Sequence, residues 1–482
     1  MWARLGARCA RIRGAQPGVL AAAGIACSFG ACEASRADDI RASEAANLRK
    51  YHLSAWRRKN VGVGLVDERA VNTHVNPVAE QLPGMEFLDP DDLVHGHIIL
   101  NDSKARTRHR ELAAGLVQAA PCRQIWWDPK KVKVAIFTCG TLCPTMNSVI
   151  RELTMTLWVQ YGVRDIVGIH GGFNGLEKYN ESHTVQLTND KVRNIHMKGG
   201  SFLIPARFGT SDIQKACDNV EKAGFNMVFI VGGMGALQAG DLLCEEARRR
   251  GLEVSVVGIP KAIDNNLPLL DKSIGFDSAV ATSSDVVRNA WVEATSCANG
   301  VGIVKLMGRD AGFLAMQTAR ASTIVDLCLV PEFTWYLEDV FEHIDTTLAR
   351  KGHMVIALSS GAWKSCVDSA GNTCEDIGIF LRDAVNKHLK DKGGRSFYID
   401  PSYIVRSVPA RQGDHVFSSA HARDAVNTAM RGYTGVGVGS IHGHLCIFPL
   451  KMLSHGESPV RATSSAWQSC VQSCNMPQYL AG

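Results

Sequence analysis

Short apolar runs alternate with amphipathic segments through the middle of the chain, from about residue 130 to residue 360. Apolar runs bounded by turn residues predict buried strands, and longer segments with apolar positions every three or four residues predict helices. Strands are predicted at 132–137, 165–169, 227–231, 253–257, 301–306, 325–330 and 353–358, and helices after Pro144, at 237–250, from Ala311 and at 337–350. Because helices alternate with strands that are apolar on both faces, the order predicts parallel sheets covered by helices on both sides, which is an α/β fold.

The length and composition are those of an ordinary globular protein with more than one domain. The chain has 482 residues, of which 46% are hydrophobic and 21% charged, and two domains are the expectation for this length. Residues 1–85 and 451–482 lack the strand–helix alternation, so we expect them to be terminal extensions. The net charge of +5 is small, and no run of Lys and Arg with interleaved aromatic residues occurs, so we expect no nucleic-acid partner.

The cysteines indicate a reducing compartment. Fifteen of them are spread from Cys9 to Cys474, without the regular spacing of a disulfide-rich secreted domain. Cys139 and Cys143 form a CxxxC pair, but no second Cys or His pair follows at the spacing of a zinc site. We therefore interpret these two cysteines as loop residues.

The first 32 residues contain four arginines and no acidic residue. The arginines are Arg4, Arg8, Arg11 and Arg13. This composition is typical of a cleavable transit peptide, although a disordered extension can share it. The apolar run at 18–32 is shorter than the roughly 20 residues that span a bilayer, so we expect no membrane span. The predicted location is a mitochondrion or plastid if the segment is a transit peptide, and the cytoplasm otherwise.

Three loops that follow predicted strands carry candidate chemistry. They are 138–147 (TCGTLCPTMN), 231–236 (VGGMGA) and 258–266 (GIPKAIDNN). Glycine at such positions lets backbone N–H groups approach phosphate oxygens, and a following helix N-terminus adds a favourable dipole. Tight turns between a strand and a helix also require glycine, so each loop alone has a purely structural interpretation.

Taken together and in order, these segments resemble the phosphofructokinase family, particularly its long plant and algal form. The resemblance extends over 86–450 and rests on eight motifs, three of which include the loops named above. They are FTCGTLCPTMNSVIREL (137–153), GGSFL with the Arg207 region, VGGMGA, GIPKAIDNN, DKSIGFDSAV (271–280), VKLMGRDAGF (304–313), the Pro331-Glu332 pair, and YIDPSYIVR (398–406). The resemblance implies two similar three-layer α/β/α domains with parallel-rich sheets and a cleft between them.

The same resemblance implies the domain limits and an assembly. A nucleotide-side lobe would take about 130–276 plus 407–450, and a lobe on the sugar-phosphate side would take about 277–406. Family members assemble as dimers or tetramers, so a homodimer or homotetramer is expected. The sequence itself does not fix the size of the assembly.

The resemblance implies transfer of a phosphoryl group from ATP, with Mg²⁺, to the 1-hydroxyl of fructose 6-phosphate. Such a transfer depends on positioning the two substrates and on neutralising charge on the moving phosphoryl group. Asp264 matches the family's catalytic base, and Lys261 would place a cation near the phosphates.

Further residues are assigned to the two ligands by the same resemblance. The nucleotide phosphates would be bound by Gly140, Arg207, Gly232, Gly233 and Gly235. Fructose 6-phosphate would be bound by Ala262, Asp264, Met307, Gly308, Arg309, Glu332, Tyr403 and Arg406. A planar guanidinium suits bidentate phosphate contact, so arginine is informative at positions 309 and 406. Without the motif context, surface salt-bridge partners would be the favoured interpretation of these two arginines.

The phosphoryl donor is indicated by one position. In the family, glycine after the acidic residue of a GGDG loop accompanies ATP, whereas a second Asp crowds the nucleotide and accompanies pyrophosphate. Gly235 occupies this place, and together with Lys261 it resembles the plant-type pattern that uses ATP. Pyrophosphate remains the alternative donor.

The sequence departs from the family at the expected metal position. The GGDG loop is Gly232-Gly233-Met234-Gly235 here, so a thioether stands where a carboxylate would organise Mg²⁺. Mg²⁺ prefers oxygen ligands, which leaves its protein ligand unknown. Loss of one electrostatic contact of this kind commonly costs about 2.7–4 kcal/mol in the transition state, a rate factor of about 10²–10³.

Smaller departures also fall mostly on the donor side. Ala262 replaces Thr, Asn266 replaces Asp, Thr141 and Thr145 replace glycines, and Phe397 replaces Lys. Two hypotheses follow. In one, the protein is an ATP-dependent phosphofructokinase, with reduced activity, in which Asn266, water or substrate phosphates hold the metal. In the other, it is a non-catalytic paralogue that binds sugar phosphate or nucleotide as a sensor or regulatory subunit.

Overall fold

The computed structural model of the protein describes residues 74–81, 87, 93–95, 115–206, 212–366 and 376–481. The Arg-rich N-terminal segment and Arg207 lie outside these residues. The strands are β1 (His74–Val75), β2 (Leu93–His95), β3 (Gly115–Gln118), β4 (Gln124–Ile125), β5 (Lys133–Thr138), β6 (Asp165–Ile169), β7 (Thr184–Gln186), β8 (Met227–Gly232), β9 (Ser255–Pro260), β10 (Gly300–Leu306), β11 (Leu327–Leu329), β12 (His353–Ser359), β13 (Arg395–Ile399), β14 (Val436–Ile441) and β15 (His444–Pro449).

The α-helices lie between these strands and cover them. They are α1 (Pro77–Gln81), α2 (Met146–Met155), α3 (Gly172–Glu177), α4 (Asn189–Val192), α5 (Ile213–Ala223), α6 (Met234–Arg249), α7 (Phe276–Thr295), α8 (Phe313–Ser322), α9 (Leu337–Lys351), α10 (Ile377–Leu389), α11 (Ser402–Ser407), α12 (Gln412–Met430) and α13 (Ser465–Ser473). Each predicted strand and helix is present with ends within three residues of the prediction. None of the helices in the described part of the chain is long and apolar enough to cross a membrane.

The larger sheet has nine strands in the order β2-β3-β15-β14-β9-β8-β5-β6-β7. The five central strands, from β14 to β6, pair in parallel, and the outer strands at both edges pair antiparallel. The second sheet has four strands in the order β11-β12-β10-β13, all parallel. The α/β fold with parallel-rich sheets is therefore confirmed. The domain limits given from the sequence stay a prediction.

Strand β8 shows why helices cover both faces of the larger sheet. All six of its residues are buried, and none carries a charge. Phe229 and Val231 point to a core that also contains side chains of α2 and α12. Val228 and Ile230 point to the opposite core, which contains side chains of α5 and α6. Because successive side chains of a strand point to opposite faces, an entirely apolar strand requires a helix layer on each side.

The second sheet and helix α7 pack at very close range through two glycines of β10. A Cβ atom at Gly300 would lie 2.2 Å from the carbonyl oxygen of Ala294, and one at Gly302 would lie 2.7 Å from that of Ala290. These distances are below any ordinary contact between a Cβ and an oxygen. Glycine at both positions therefore sets the distance between the helix and the sheet.

The C-terminal segment 456–481 is part of the second core and not a loose extension. Helix α13 packs against α8, and Trp467 is buried with its ring 4.6 Å from that of Phe333. The Trp467 indole donates a hydrogen bond of 2.7 Å to the carbonyl oxygen of Ala481. The strand–helix alternation of the sequence is absent here because the described segment contains one α-helix and no strand.

We predict that Gly302→Ala lowers the free energy of unfolding by about 1–3 kcal/mol, because the new methyl group meets the backbone of α7 and the helix must shift. The urea midpoint, followed by tryptophan fluorescence, measures this change. Gly413→Ala is the matched control, since a Cβ there meets nothing within 4 Å and alanine suits a helix at least as well as glycine. Equal midpoints for the two variants would contradict the role assigned to Gly302.

Candidate active site

Three loops meet at one edge of the larger sheet and enclose a cleft. Strands β9, β8 and β5 are parallel neighbours, so their carboxyl ends lie side by side, which is where ligands bind in open parallel sheets. The cleft has a volume of about 230 Å³ and is lined by 139–143, 233–236 and 261–264, together with Asn266 and Glu457. The structure thus brings together the three loops that the sequence selected.

The loop after β5 is held tightly by backbone hydrogen bonds. Cys139 N–H donates to the Val231 carbonyl at 2.8 Å, and Gly140 N–H donates to the Ala206 carbonyl at 2.7 Å. Gly140 has φ 83°, a conformation that glycine adopts at little cost. The Gly140 N–H therefore already has a partner, and the contribution of this glycine to the cleft is its backbone conformation. Burial raises the pKa of the Cys139 thiol to about 11 and also raises that of Cys143.

The loop after β8 passes directly into helix α6. This helix begins at Met234, three residues before the predicted start, because Gly233 serves as its N-cap. The N–H groups of a first helical turn have no partner within the helix, and they carry partial positive charge. A Cβ atom at Gly235 would meet nothing within 4 Å, so this position opens onto space. The N-terminus of α6 therefore gives the cleft a positive end.

Lys261 links two of the three loops. Its side chain is 4% exposed, and its ammonium group donates a hydrogen bond to the carbonyl oxygen of Thr141. Burial lowers the pKa of Lys261, and the nearby thiols of Cys143 and Cys139 and the carboxylate of Asp264 oppose this shift. Lys261 and Asp264 both line the cleft, and the role of Lys261 as a cation near the phosphates stays a prediction.

Asp264 lies in the cleft with one oxygen that has no partner. Its Oδ1 atom is buried and accepts no hydrogen bond from any residue that the structure describes. Burial raises the pKa of Asp264 to about 6, and the charges of Glu457 and Asp310 add to this effect, while Arg309 and Lys261 oppose it. A carboxylate with an unused buried oxygen and a pKa near neutrality can accept a proton from a bound hydroxyl group.

The segment after β10 contains the first group of predicted sugar-phosphate ligands. Met307 is partly buried, Gly308 is buried and Arg309 is exposed. Gly308 has φ 129°, and a Cβ there would lie 2.4 Å from the Ala311 carbonyl oxygen, so the turn requires glycine. The Arg309 charge acts on Asp264, which places this segment on the side of the cleft where Asp264 lies.

The remaining predicted sugar-phosphate ligands lie on separate elements. Tyr403 is 74% exposed on α11, and the Arg406 guanidinium lies 4.6 Å from the centre of its ring. Neither Arg309 nor Arg406 forms an ion pair with any residue of the described ranges. No ion pair in that part of the chain therefore supports the alternative that these arginines are surface salt-bridge partners.

Glu332 is already engaged by the protein. Its Oε1 atom accepts hydrogen bonds from Gly312 N–H at 2.9 Å and from Val460 N–H at 2.8 Å. Its Oε2 atom is buried and has no partner among the described residues, and burial raises the pKa of the carboxyl group. One oxygen of Glu332 is therefore left for a ligand.

Glu457, which was not among the predicted site residues, lines the cleft from the C-terminal segment. Next to it, Ser458 N–H donates to the Asn266 carbonyl at 2.9 Å. No motif marks Glu457, because its position depends on how the C-terminal segment crosses between the two sheets. Only the three-dimensional packing identifies it.

The described residues include no cluster of three or more His, Cys, Asp or Glu side chains arranged to hold a metal ion. Met234 lines the cleft where the family would supply a carboxylate, and a thioether does not suit Mg²⁺. The acidic side chains that line the cleft are Asp264 and Glu457. The usual metal position therefore does not fit Mg²⁺, whereas the cleft as a whole does offer carboxylate oxygens.

Comparison with known proteins shows the family of the chain. The family model described as Phosphofructokinase matches residues 133–429. The chain is 37% identical to ATP-dependent 6-phosphofructokinase 7 of Arabidopsis thaliana, over 85% of this chain and 86% of that protein. It is also 37% identical to ATP-dependent 6-phosphofructokinase 4, chloroplastic, of Arabidopsis thaliana, over 82% of this chain and 76% of that protein.

A solved structure shares the fold. The pyrophosphate-dependent phosphofructokinase of Nitrosospira multiformis superposes with a TM-score of 0.62 at 15% identity, covering 71% of this chain and 91% of that one. At this identity the likeness concerns the fold alone. Because the family model covers more than half of the chain and the Arabidopsis relatives match most of it at over a third identity, the chain belongs to the phosphofructokinase family.

Proposed function

We propose that this protein is an ATP-dependent 6-phosphofructokinase. It would transfer the terminal phosphoryl group of ATP to the 1-hydroxyl of fructose 6-phosphate. A bond forms between that oxygen and the γ-phosphorus, the bond to the bridging oxygen breaks, and ADP leaves. The observation that carries the proposal is the cleft carboxylate of Asp264, with its unpartnered buried oxygen and a pKa of about 6. The names of the Arabidopsis relatives support the same reaction.

In this proposal Asp264 is the general base. The attacking hydroxyl would donate a hydrogen bond to Asp264 Oδ1, which no described residue occupies. As the new oxygen–phosphorus bond forms, the proton passes from the hydroxyl to the carboxylate. A pKa near 6 leaves most of the carboxyl group ionised at pH 7 and still makes it a stronger base than an ordinary Asp.

Lys261 and helix α6 would stabilise negative charge on the phosphoryl donor. The Lys261 ammonium group is fixed by its hydrogen bond to the Thr141 carbonyl, so it needs little reorganisation when a phosphate arrives. The N-terminus of α6, with Gly233 as its cap, presents unpaired N–H groups. Gly140, Gly232 and Gly235 would let the phosphates lie close to the backbone. Arg207 keeps its proposed role as a phosphate ligand and lies outside the described residues.

The sugar phosphate would be bound from the second sheet. Arg309 and Arg406 would bind its phosphate, since neither has an ion-pair partner in the described ranges and a guanidinium matches phosphate geometry. The second oxygen of Glu332 would accept a hydrogen bond from a sugar hydroxyl. Further contacts are proposed for Ala262, Met307, Gly308 and Tyr403.

Mg²⁺ bound with ATP would neutralise charge on the phosphate oxygens during the transfer. Asp264 and Lys261 do not replace this neutralisation of charge by the metal. Met234 leaves the usual position of the metal ligand without an oxygen. Gly235, which faces open space, supports ATP rather than pyrophosphate as donor. The alternative function, a sensor of sugar phosphate or nucleotide without catalysis, is favoured by Met234 and by the donor-side replacements at Thr141, Thr145, Ala262 and Asn266.

Location and assembly also stay proposals. The chloroplastic Arabidopsis relative supports a plastid location for a chain with an Arg-rich N-terminus, with the mitochondrion and the cytoplasm as alternatives. A fluorescent protein fused after residue 85 and imaged in plant cells would distinguish plastid import from a diffuse cytoplasmic signal. The homodimer or homotetramer expected from the family stays a prediction.

Asp264→Asn tests the proposed base. We expect a fall in kcat of about 10²–10⁴-fold, since the amide cannot accept the proton, while the dissociation constant of fructose 6-phosphate changes little. Formation of fructose 1,6-bisphosphate is followed in a coupled assay with ATP and, separately, with pyrophosphate. Calorimetry measures substrate binding.

The matched control for this test is Asp383→Asn, which removes an exposed carboxylate on α10 that pairs only with its neighbour Arg382 in the described structure. It should leave kcat unchanged. An Asp264→Asn variant as active as the control would exclude Asp264 as the base. Absence of turnover in the wild-type protein with both donors, together with saturable fructose 6-phosphate binding, would favour the sensor.

The pH dependence should show the raised pKa of Asp264. The base acts only when ionised, so kcat/KM should fall as the pH drops through about 6, instead of through about 4, where an ordinary Asp titrates. The phosphate of the substrate also titrates near pH 6. The pH dependence of fructose 6-phosphate binding to Asp264→Asn therefore measures the contribution of the substrate phosphate, which is subtracted from the kcat/KM profile. If the acidic limb of the corrected profile lay near pH 4, it would contradict the raised pKa of Asp264.

A further inference from the structure

The C-terminal segment places Glu457 at the cleft and fixes its backbone on both sides. The preceding turn is made at Gly456, which has φ 104°, and the residues before it pack through the buried side chain of Leu453. On the other side, Ser458 N–H bonds to the Asn266 carbonyl at 2.9 Å and Val460 N–H to Glu332 at 2.8 Å. Glu457 is therefore held at the cleft by bonds of its neighbours and not by its own side chain.

The Glu457 side chain itself is available to a ligand. It is exposed, it lines the cleft with Asp264 and Met234, and it forms no ion pair with a residue in the described part of the chain. It lies close enough to Asp264 for its charge to act on that carboxyl group. A like charge beside a buried carboxylate is unfavourable unless a cation can lie between or beside the two groups.

The chemistry of the cleft points to the cation. Mg²⁺ is usually bound through one or two carboxylates together with phosphate oxygens and water, so a site with several protein ligands is not needed. The cleft has no carboxylate at position 234 and has one at position 457 that the sequence motifs do not include. Asp264 lines the same cleft, and its buried Oδ1 atom has no hydrogen-bond partner among the described residues.

We propose that Glu457 is the protein carboxylate that binds the Mg²⁺ of Mg·ATP, in place of the carboxylate that is absent at Met234. This inference rests on the proposed function, since it requires ATP to bind in the cleft. The metal ligand would then come from a segment 191 residues after the end of the last of the three loops. The C-terminal segment would thereby be a part of the active site.

The test is a metal-binding measurement with Mn²⁺ as the probe. Mn²⁺ binding to the full-length protein is followed by electron paramagnetic resonance in the presence of a non-hydrolysable ATP analogue. Glu457→Gln keeps the shape and removes the charge, and it should weaken Mn²⁺ binding by about tenfold or more. Glu293→Gln, an exposed carboxylate on α7, is the matched control and should bind Mn²⁺ as the wild type does. Equal thermal melting midpoints establish that each variant is folded.

A second variant tests whether a carboxylate at position 234 can replace the one removed at position 457. Met234→Asp in the Glu457→Gln background restores a carboxylate at the family position, so Mn²⁺ binding should recover. In steady-state assays the Mg²⁺ concentration for half-maximal rate should rise in Glu457→Gln and return in the double variant. Mn²⁺ affinity in Glu457→Gln within twofold of that in Glu293→Gln would overturn the proposal, as would a wild-type complex that binds no more Mn²⁺ than the analogue alone.

The outcomes separate this inference from the proposed function. If the wild type shows no turnover but Glu457→Gln weakens Mn²⁺ binding, the assignment of Glu457 as metal ligand is supported and the proposed kinase activity is excluded. If turnover depends on Asp264 and Glu457→Gln leaves Mn²⁺ binding unchanged, the kinase activity is supported and the assignment of Glu457 is excluded.

Discussion

Parallel pairing of β5, β8 and β9 is the constraint on which the site depends. Because the three strands are neighbours and run in one direction, the loops that follow them must meet at one edge of the sheet. Helices cover both apolar faces of these strands and form a core on each side of the sheet. The core therefore fixes the positions of Gly140, Gly233 and Lys261, although none of them belongs to it.

Burial has opposite effects on the two charged groups of the cleft. It lowers the pKa of Lys261 and raises that of Asp264, so it weakens the preference of each for its charged form. The Cys143 and Cys139 thiols oppose the pKa shift of Lys261, the Arg309 charge opposes that of Asp264, and the mutual attraction of Lys261 and Asp264 opposes both. The result is a cation with a fixed position beside a carboxylate of increased basicity. Such a pair suits a reaction in which a proton leaves a hydroxyl while negative charge moves between phosphates.

The C-terminal segment connects the two sides of the site. The backbone N–H groups of Ser458 and Val460, which Pro459 separates, bond to Asn266 in the loop after β9 and to Glu332 beyond β11. A short stretch of chain therefore contacts both a loop of the cleft and a predicted sugar ligand. The buried Trp467 and its hydrogen bond to Ala481 hold the rest of the segment on the second core. Movement of one sheet relative to the other would have to break or carry these contacts.

Hydrophobic periodicity and glycine spacing are local properties of the chain, and they were enough to predict the α/β fold, the positions of the main strands and helices, and the three loops around the cleft. The resemblance of GIPKAIDNN to a family motif marked Asp264 and Lys261 as candidate site residues. The antiparallel edge strands, the start of α6 at Met234, the hydrogen bond from Val460 to Glu332 and the presence of Glu457 in the cleft became visible only in the folded chain. These features depend on contacts between residues far apart in the chain, and no local pattern records such contacts.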